Sequence, residues 1–297
     1  MYQAIEISRT MHSDISLSRI CSWFGITRQA YYKHKDRLIN DALEEELIMQ
    51  YVLKIRENHP RMGTRKLHIL LEPRLKVHSI HIGRDYLFNL LRSHKLLIKR
   101  PRRRYISTTN SNHWMRKYTN LTIGLKLVRT EELWVSDITY LTLPEAAPVY
   151  IALITDAFSH KIVGYALEQH MEASMCNDAL IMAIENRVKI DEYLIHHSDR
   201  GSQYCSALYT DNLKKNNIAI SMTESGDPLE NPIAERINGI IKNEYLKPLK
   251  PRNFMEAKEF VAQVILRYNH ERPHASIGYR TPSEVHFLNK NFERKWK

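Results

Sequence analysis

An α/β domain built on a mixed sheet, preceded by all-α modules, is the fold this sequence predicts, and three observations predict it. Apolar runs of strand character recur at 134–143, 149–156, 161–168 and 193–198, with a helical-period segment at 173–189 before the last of them. Residues 14–98 instead repeat their apolar residues at helical spacing. The charge also divides. Residues 1–130 hold 25 Lys and Arg against 10 Asp and Glu, whereas residues 131–297 hold 19 against 23, so the net +11 comes entirely from the front half. That asymmetry suggests a front that binds nucleic acid and a second half whose acids serve another purpose.

Residues 14–36 read as a helix-turn-helix. Leu17, Ile20, Cys21 and Phe24 make an apolar face, Gly25 permits the turn, and Thr27 is placed to cap a helix over Arg28–Lys35. In such a motif the start of the second helix reads base edges, which suits Arg28 and Gln29, while Lys33 and Lys35 reach for phosphates. A second helical unit follows: a helix over 42–58 with Leu43, Leu47, Tyr51 and Ile55 at helical spacing, one capped by Thr64, and one near 83–96. The domain division expected is therefore 1–40, 41–98, a basic linker at 99–130, and the core with its helical C-terminal extension at 131–297.

The linker begins with the densest charge run of the chain, Lys99, Arg100, Arg102, Arg103 and Arg104 around Pro101, and continues into the polar Ser107–Asn112. Pro101 argues against a helix there. Between a DNA-reading front and a phosphate-cutting back, the run suits tracking a DNA backbone. In the core, 134–143, 149–156 and 161–168 are expected as an antiparallel meander, with Asp156–His160 as the hairpin connection and Asp156 as a turn residue. No run of about 18 apolar residues exists, so no membrane span is expected. No apolar signal segment opens the chain, and Cys21, Cys176 and Cys205 lack metal or disulfide spacing. A cytoplasmic protein is the expectation.

Three carboxylates carry the chemistry. Asp137 interrupts the apolar Trp134–Leu141, an expensive place for an unpaired charge. Asp199 ends Tyr193–Asp199 and is followed by the turn-like Arg200-Gly201-Ser202-Gln203. Glu235 lies in the helix-like Asn231–Lys242, with 35 residues separating it from Asp199. Such a trio suits two magnesium ions, hard cations that take oxygen ligands and, about 3.5–4 Å apart, clamp the attacking and leaving oxygens at phosphorus. No side-chain nucleophile is then needed. Glu230 and Glu244 are rivals for the third position: Glu230 falls at or before the helix start, and Glu244 lies nine residues on, toward the opposite face. Lys242 is a candidate phosphate contact, the Gly201 turn a place for close backbone approach, and Ser225–Pro228 a loop ahead of the helix.

The blocks W-V-S-D-I-T-Y, D-A-F-S-H-K-I-V-G-Y, H-S-D-R-G-S-Q-Y and N-P-I-A-E-R-I-N-G-I-I-K-N-E, with the closing Tyr268–Pro282, resemble the catalytic half of bacterial insertion-sequence transposases. The likeness is narrowest to the OrfB protein of the third insertion-sequence family, whose core is shared with retroviral integrases. It implies a ribonuclease H-like core and Asp137, Asp199 and Glu235 as ligands of two Mg2+ ions, with Mn2+ as a substitute. It further implies recognition of terminal inverted repeats and target DNA, copy-out of a circular intermediate, an OrfA partner or fusion, and a homo-oligomer on DNA. Two other readings stay open: a ribonuclease H-like nuclease that hydrolyses without joining, and a non-catalytic DNA-binding regulator derived from a transposase. Sixteen tyrosines supply candidate nucleophiles for a recombinase, but no Arg/His constellation is spaced to activate one.

Overall fold

A computed structural model describes residues 1–99, 114–224 and 230–288. Among these residues, five helices precede the sheet: α1 (Tyr2–Met11), α2 (Leu17–Trp23), α3 (Arg28–Asn58), α4 (Thr64–Lys76) and α5 (Arg84–Ser93). The expected helix-turn-helix is α2 and the start of α3. Gly25 sits at φ +70°, where a side chain would be strained, and the Thr27 hydroxyl accepts the Ala30 N–H at 3.1 Å. Ile20, Cys21 and Tyr31 bury against Ile5 of α1, a helix the sequence reading left unassigned.

Three expectations in this half are corrected. The helices expected at 28–35 and 42–58 are one continuous helix, because no Gly or Pro interrupts 28–58. The buried stripe of its second half is Ile48, Val52 and Ile55, with Leu43 exposed. Gly63, not Thr64, takes the cap position of α4, and Thr64 is buried as the first helical residue. Residues 114–130, expected as linker, lie on the core. Leu125 and Leu127 alternate with Lys126 and pack on the sheet, Met115 and Tyr118 cover its other side, and the Leu121 N–H reaches Ser221 Oγ at 2.8 Å.

The sheet holds β1 (Leu133–Leu141), β2 (Val149–Asp156), β3 (Ile162–Glu168), β4 (Leu194–Ser198) and β5 (Ile218–Met222), in the order β3-β2-β1-β4-β5. β1, β2 and β3 form the expected antiparallel meander. After α6 (Ala173–Glu185), β4 returns parallel to β1. After α7 (Ser202–Cys205) and α8 (Ala207–Lys215), β5 adds parallel to β4. Then come α9 (Pro232–Ile240), a π-helical turn (Ile241–Leu246), α10 (Lys247–Leu249), α11 (Phe254–His270) and α12 (Pro282–Leu288). No helix among the described residues is long and apolar enough to cross a membrane.

Alternation along the strands makes two cores. Ile151 and Leu153 face α9 and α11, whereas Ala152 and Ile154 face α6. α6 lies so close to β3 that a Cβ on Gly164 would stand 2.1 Å from the Ala179 carbonyl oxygen. Because that atom is backbone, it cannot swing away. Gly164→Ala is expected to cost about 3 kcal/mol, the upper end for overpacking, read as a lower urea midpoint at unchanged slope.

Asp156 is the expected turn residue and more. Fully buried, it accepts the Ser159 N–H and hydroxyl, both at 2.7 Å, and the Glu131 N–H at 2.6 Å. His286 of α12 lies 3.5 Å from Glu131 and 3.9 Å from Asp156. Burial pulls the His286 pKa down, but the two carboxylates outweigh it and raise it. Burial pushes both acids up, but His286 and the surrounding N–H and hydroxyl donors outweigh it and lower them. The acids' stabilisation is therefore present above the unfolded carboxylate pKa, about 4, and lost as pH falls through their depressed values. The histidine's is full below about 6.5 and lost as pH rises through its elevated value. Thermal melts should show a stability plateau between about pH 4.5 and 6.5 that falls on both sides, and His286→Gln should flatten the alkaline fall.

Candidate active site

The alternation that buries Leu133 and Val135 beneath α9 also points Asp137 to that side of β1. Val135 pairs with His197, so Asp137 and Asp199 stand two residues beyond the same rung of a parallel pair, Asp137 in the middle of β1 and Asp199 just past the end of β4. Two asparagines fix α9 over them. Asn231, at its N-cap, donates to the Ser136 carbonyl at 2.9 Å, and Pro232 opens the first turn. Asn238, three residues after Glu235 and so on the same face, donates to Asp137 Oδ2 at 2.7 Å. Ile237, Ile240 and Ile241 anchor the helix in the core, as expected. His197 braces the approach, contacting Ser221 Oγ at 2.9 Å and the Glu230 carbonyl at 3.2 Å.

Negative charge accumulates here. Burial, then the Asp199 charge, and further the Glu235 charge, push the Asp137 pKa up to about 7, against the opposing hydrogen bonds from Asn238 and the Ile138 N–H. Each aspartate turns an oxygen to a protein donor: Asp137 Oδ1 accepts the Ile138 N–H at 2.9 Å, and Asp199 Oδ1 accepts the Gly201 N–H at 3.0 Å. Among the described residues, no three His, Cys, Asp or Glu side chains converge closely enough to hold an ion as they stand. The donor set itself, hard carboxylate oxygens around an acid whose charge is disfavoured, fits a divalent cation.

Gly201 serves this site through space rather than backbone freedom. A Cβ there would come 3.0 Å from Asp199 Oδ1 and 3.1 Å from Gln203 Oε1. The rivals for the third acid are engaged elsewhere. Glu230 accepts the Glu224 N–H, and Glu244 takes Arg272 in a two-pronged pair at 2.9 Å and Lys66 at 3.5 Å. The His and Arg residues after α11 thus brace the core rather than the site. Lys242 lies over the Tyr140 ring at 3.6 Å, half-buried, and burial brings its pKa down to about 8. Because hydrogen bonds in a π turn run i to i+5, Lys242 and the positions after it leave the 3.6-residue phase of α9.

Arg28, Gln29, Lys33 and Lys35 are exposed at the start of α3, distant in the sequence from the carboxylates, and Lys35 pairs with Glu6 at 3.8 Å. Lys99 is exposed, its carbonyl accepting from Arg61 at 2.5 Å. Arg100, Arg102, Arg103, Arg104 and the Ser225–Pro228 loop lie outside the described residues. Sequence reasoning missed Asn231 and Asn238. The one signal that could have found them was an asparagine at each end of the helical stretch around Glu235, one at a cap position and one a turn beyond the acid.

Two integrase core domain models match the chain, over residues 128–228 and 216–282. The insertion element IS600 uncharacterized 31 kDa protein of Shigella sonnei is 31% identical over 89% of this chain and 96% of its own length. The transposase for insertion sequence element IS629 of Shigella sonnei is 29% identical over 90% of each chain. The HTLV-2 integrase catalytic core domain, solved in complex with magnesium, covers 54% of this chain and 98% of its own at 18% identity and a TM-score of 0.43. The chain belongs to the insertion-sequence transposases built on an integrase core, polynucleotidyl transferases of the DDE class.

Proposed function

We propose that Asp137, Asp199 and Glu235 are the metal ligands of this transposase, and that one site performs both cleavage of the element ends and strand transfer. The observation that carries this is the placement of Asp137 within β1 and Asp199 just past the end of the adjacent parallel β4, under a helix that Asn231 and Asn238 tie to β1. A bound divalent ion, Mg2+ or Mn2+ and two of them in the full site, supplies charge neutralisation at the phosphorus oxygens and an acidified water. The three carboxylates hold it. Asn238 fixes the Asp137 oxygen that faces α9, and the Gly201 N–H fixes one oxygen of Asp199. In the first step water attacks phosphorus and the 3′-oxygen of the element leaves as a hydroxyl. In the second, that 3′-hydroxyl attacks a target phosphodiester and displaces a target 3′-hydroxyl.

Arg28 and Gln29 of the helix-turn-helix read the terminal repeats, with Lys33 and Lys35 as phosphate contacts. Residues 41–98 form the second helical module, the Lys99–Arg104 run follows the DNA backbone, and Lys242 approaches phosphate from beside Tyr140. OrfA supplies further DNA binding, and the chain works as a homo-oligomer on nucleoid DNA in the cytoplasm.

The test is purified chain with labelled duplexes carrying the DNA that flanks its gene, in Mg2+, Mn2+ or EDTA. Joined products that need the metal are expected. Hydrolysis without joining would favour the nuclease. Binding without product, with OrfA present, would favour the regulator. Asn238→Ala should slow joining about 10–100-fold with DNA affinity unchanged, the range for a residue that orients a metal ligand.

A further inference from the structure

Among the described residues, the middle of α3 is left open to solvent, with the Lys35–Glu6 contact at its start. All ten residues from 35 to 44 are exposed, between the cluster around Tyr31 and the cluster that begins at Ile48. Most helices of globular proteins owe their stability to packing of an apolar face, and this stretch packs nothing. It nevertheless carries such a face. Leu38, Ile39, Ala42 and Leu43 lie together at helical spacing, with Leu38 55%, Ile39 50% and Leu43 59% exposed. The stripe runs at alternating steps of three and four through Tyr32, Lys35, Ile39, Ala42 and Glu46, the seam spacing of paired helices, before it enters the buried cluster at Met49. α5 does not cover it. It reaches only the end of this stretch, where His94 meets Glu45 at 2.8 Å, and Leu38, Ile39 and Leu43 stay at least half exposed.

We propose that this face pairs with the same face of a second copy of the chain, antiparallel and two-fold symmetric about residues 40 and 41. Charge complementarity selects that occupant. In that register Leu38 meets Leu43 of the other copy, Ile39 meets Ala42, and Lys35 meets Glu46, each contact occurring twice as a closed two-fold interface requires. Lys35 and Glu46 fall on the same line of the helix as Ile39 and Ala42, so the opposite charges flank an apolar centre. A parallel pair would set Lys35 against Lys35 and Glu46 against Glu46. The in-chain Lys35–Glu6 contact, at 3.8 Å and half-exposed, is too weak to compete. The surface is independent of the carboxylate site and does not rest on the reading of its chemistry.

The test is sedimentation of the full chain up to its solubility limit, with Lys35→Glu, Glu46→Lys and the double exchange. Every position altered is exposed, so circular dichroism should stay unchanged. Wild type should self-associate, each single exchange should weaken association at least about 10-fold by setting like charges opposite, and the double exchange should restore it. The double exchange cannot restore the Glu6 contact, so recovery identifies pairing between copies. A monomeric wild type, or four variants of equal association, would overturn the proposal. So would a double exchange no better than the singles, since another protein partner on this face would not be rescued by it.

Discussion

Asp137→Asn, Asp199→Asn and Glu235→Gln are each expected to lower cleavage and joining by at least about 10³-fold while leaving DNA binding intact. The substitutions keep side-chain size and remove one charge each. None of the three residues belongs to the apolar cores, so folding should survive. Asp137→Asn is also expected to stabilise the metal-free protein slightly, since it relieves a buried acid from the charges of Asp199 and Glu235. Loss of activity with equal or higher melting temperature separates a catalytic acid from a structural one. A variant that joins DNA at the wild-type rate would remove its residue from the site.

Glu244→Leu, outside the site, is expected to cost about 3 kcal/mol. Arg272 is 2% exposed, and its guanidinium spends Nε and Nη2 on the Glu244 carboxylate at 2.9 Å each and Nη1 on His274 at 2.7 Å. Burial, then the Arg272 charge, hold His274 well below its usual pKa, so a neutral ring accepts that bond. Removing the carboxylate leaves a cation buried without its counter-charge and also frees Lys66 of α4. A second contact across the same seam, His59 between the Tyr245 hydroxyl at 2.8 Å and Glu271 at 3.1 Å, should hold the α4 side in place. Urea unfolding measures the loss, and adding Arg272→Met should recover part of it. A loss under about 1 kcal/mol would mean the pair behaves as a surface one.

The strands that carry the aspartates were legible because each is an apolar run broken by one acid, and a run of that kind has few other uses. β5 was not, since Ile218–Met222 is short and only its pairing with β4 makes it a strand. The helix-turn-helix was legible from Gly25 and Thr27, which act locally. The continuity of α3 was not, because Asp36, Asn40 and Asp41 are poor helix formers, and only the lack of Gly or Pro across 28–58 argues for one helix. Glu235 was preferred to Glu244 by helical phase. The structure gives a more physical reason: Glu244 is neutralised by Arg272, whose position 28 residues away no spacing rule reveals. Asn238 escaped because a hydrogen bond across 101 residues leaves no local trace.

Joining with pre-cleaved ends tests the central claim most directly. A duplex that already presents the element's 3′-hydroxyl bypasses hydrolysis, so only the second step remains to be catalysed. If one carboxylate site serves both steps, Glu235→Gln should fail with pre-cleaved ends as completely as with intact ones, in Mg2+ and in Mn2+. Joining of pre-cleaved ends by Glu235→Gln at the wild-type rate would contradict it and place strand transfer somewhere other than Asp137, Asp199 and Glu235.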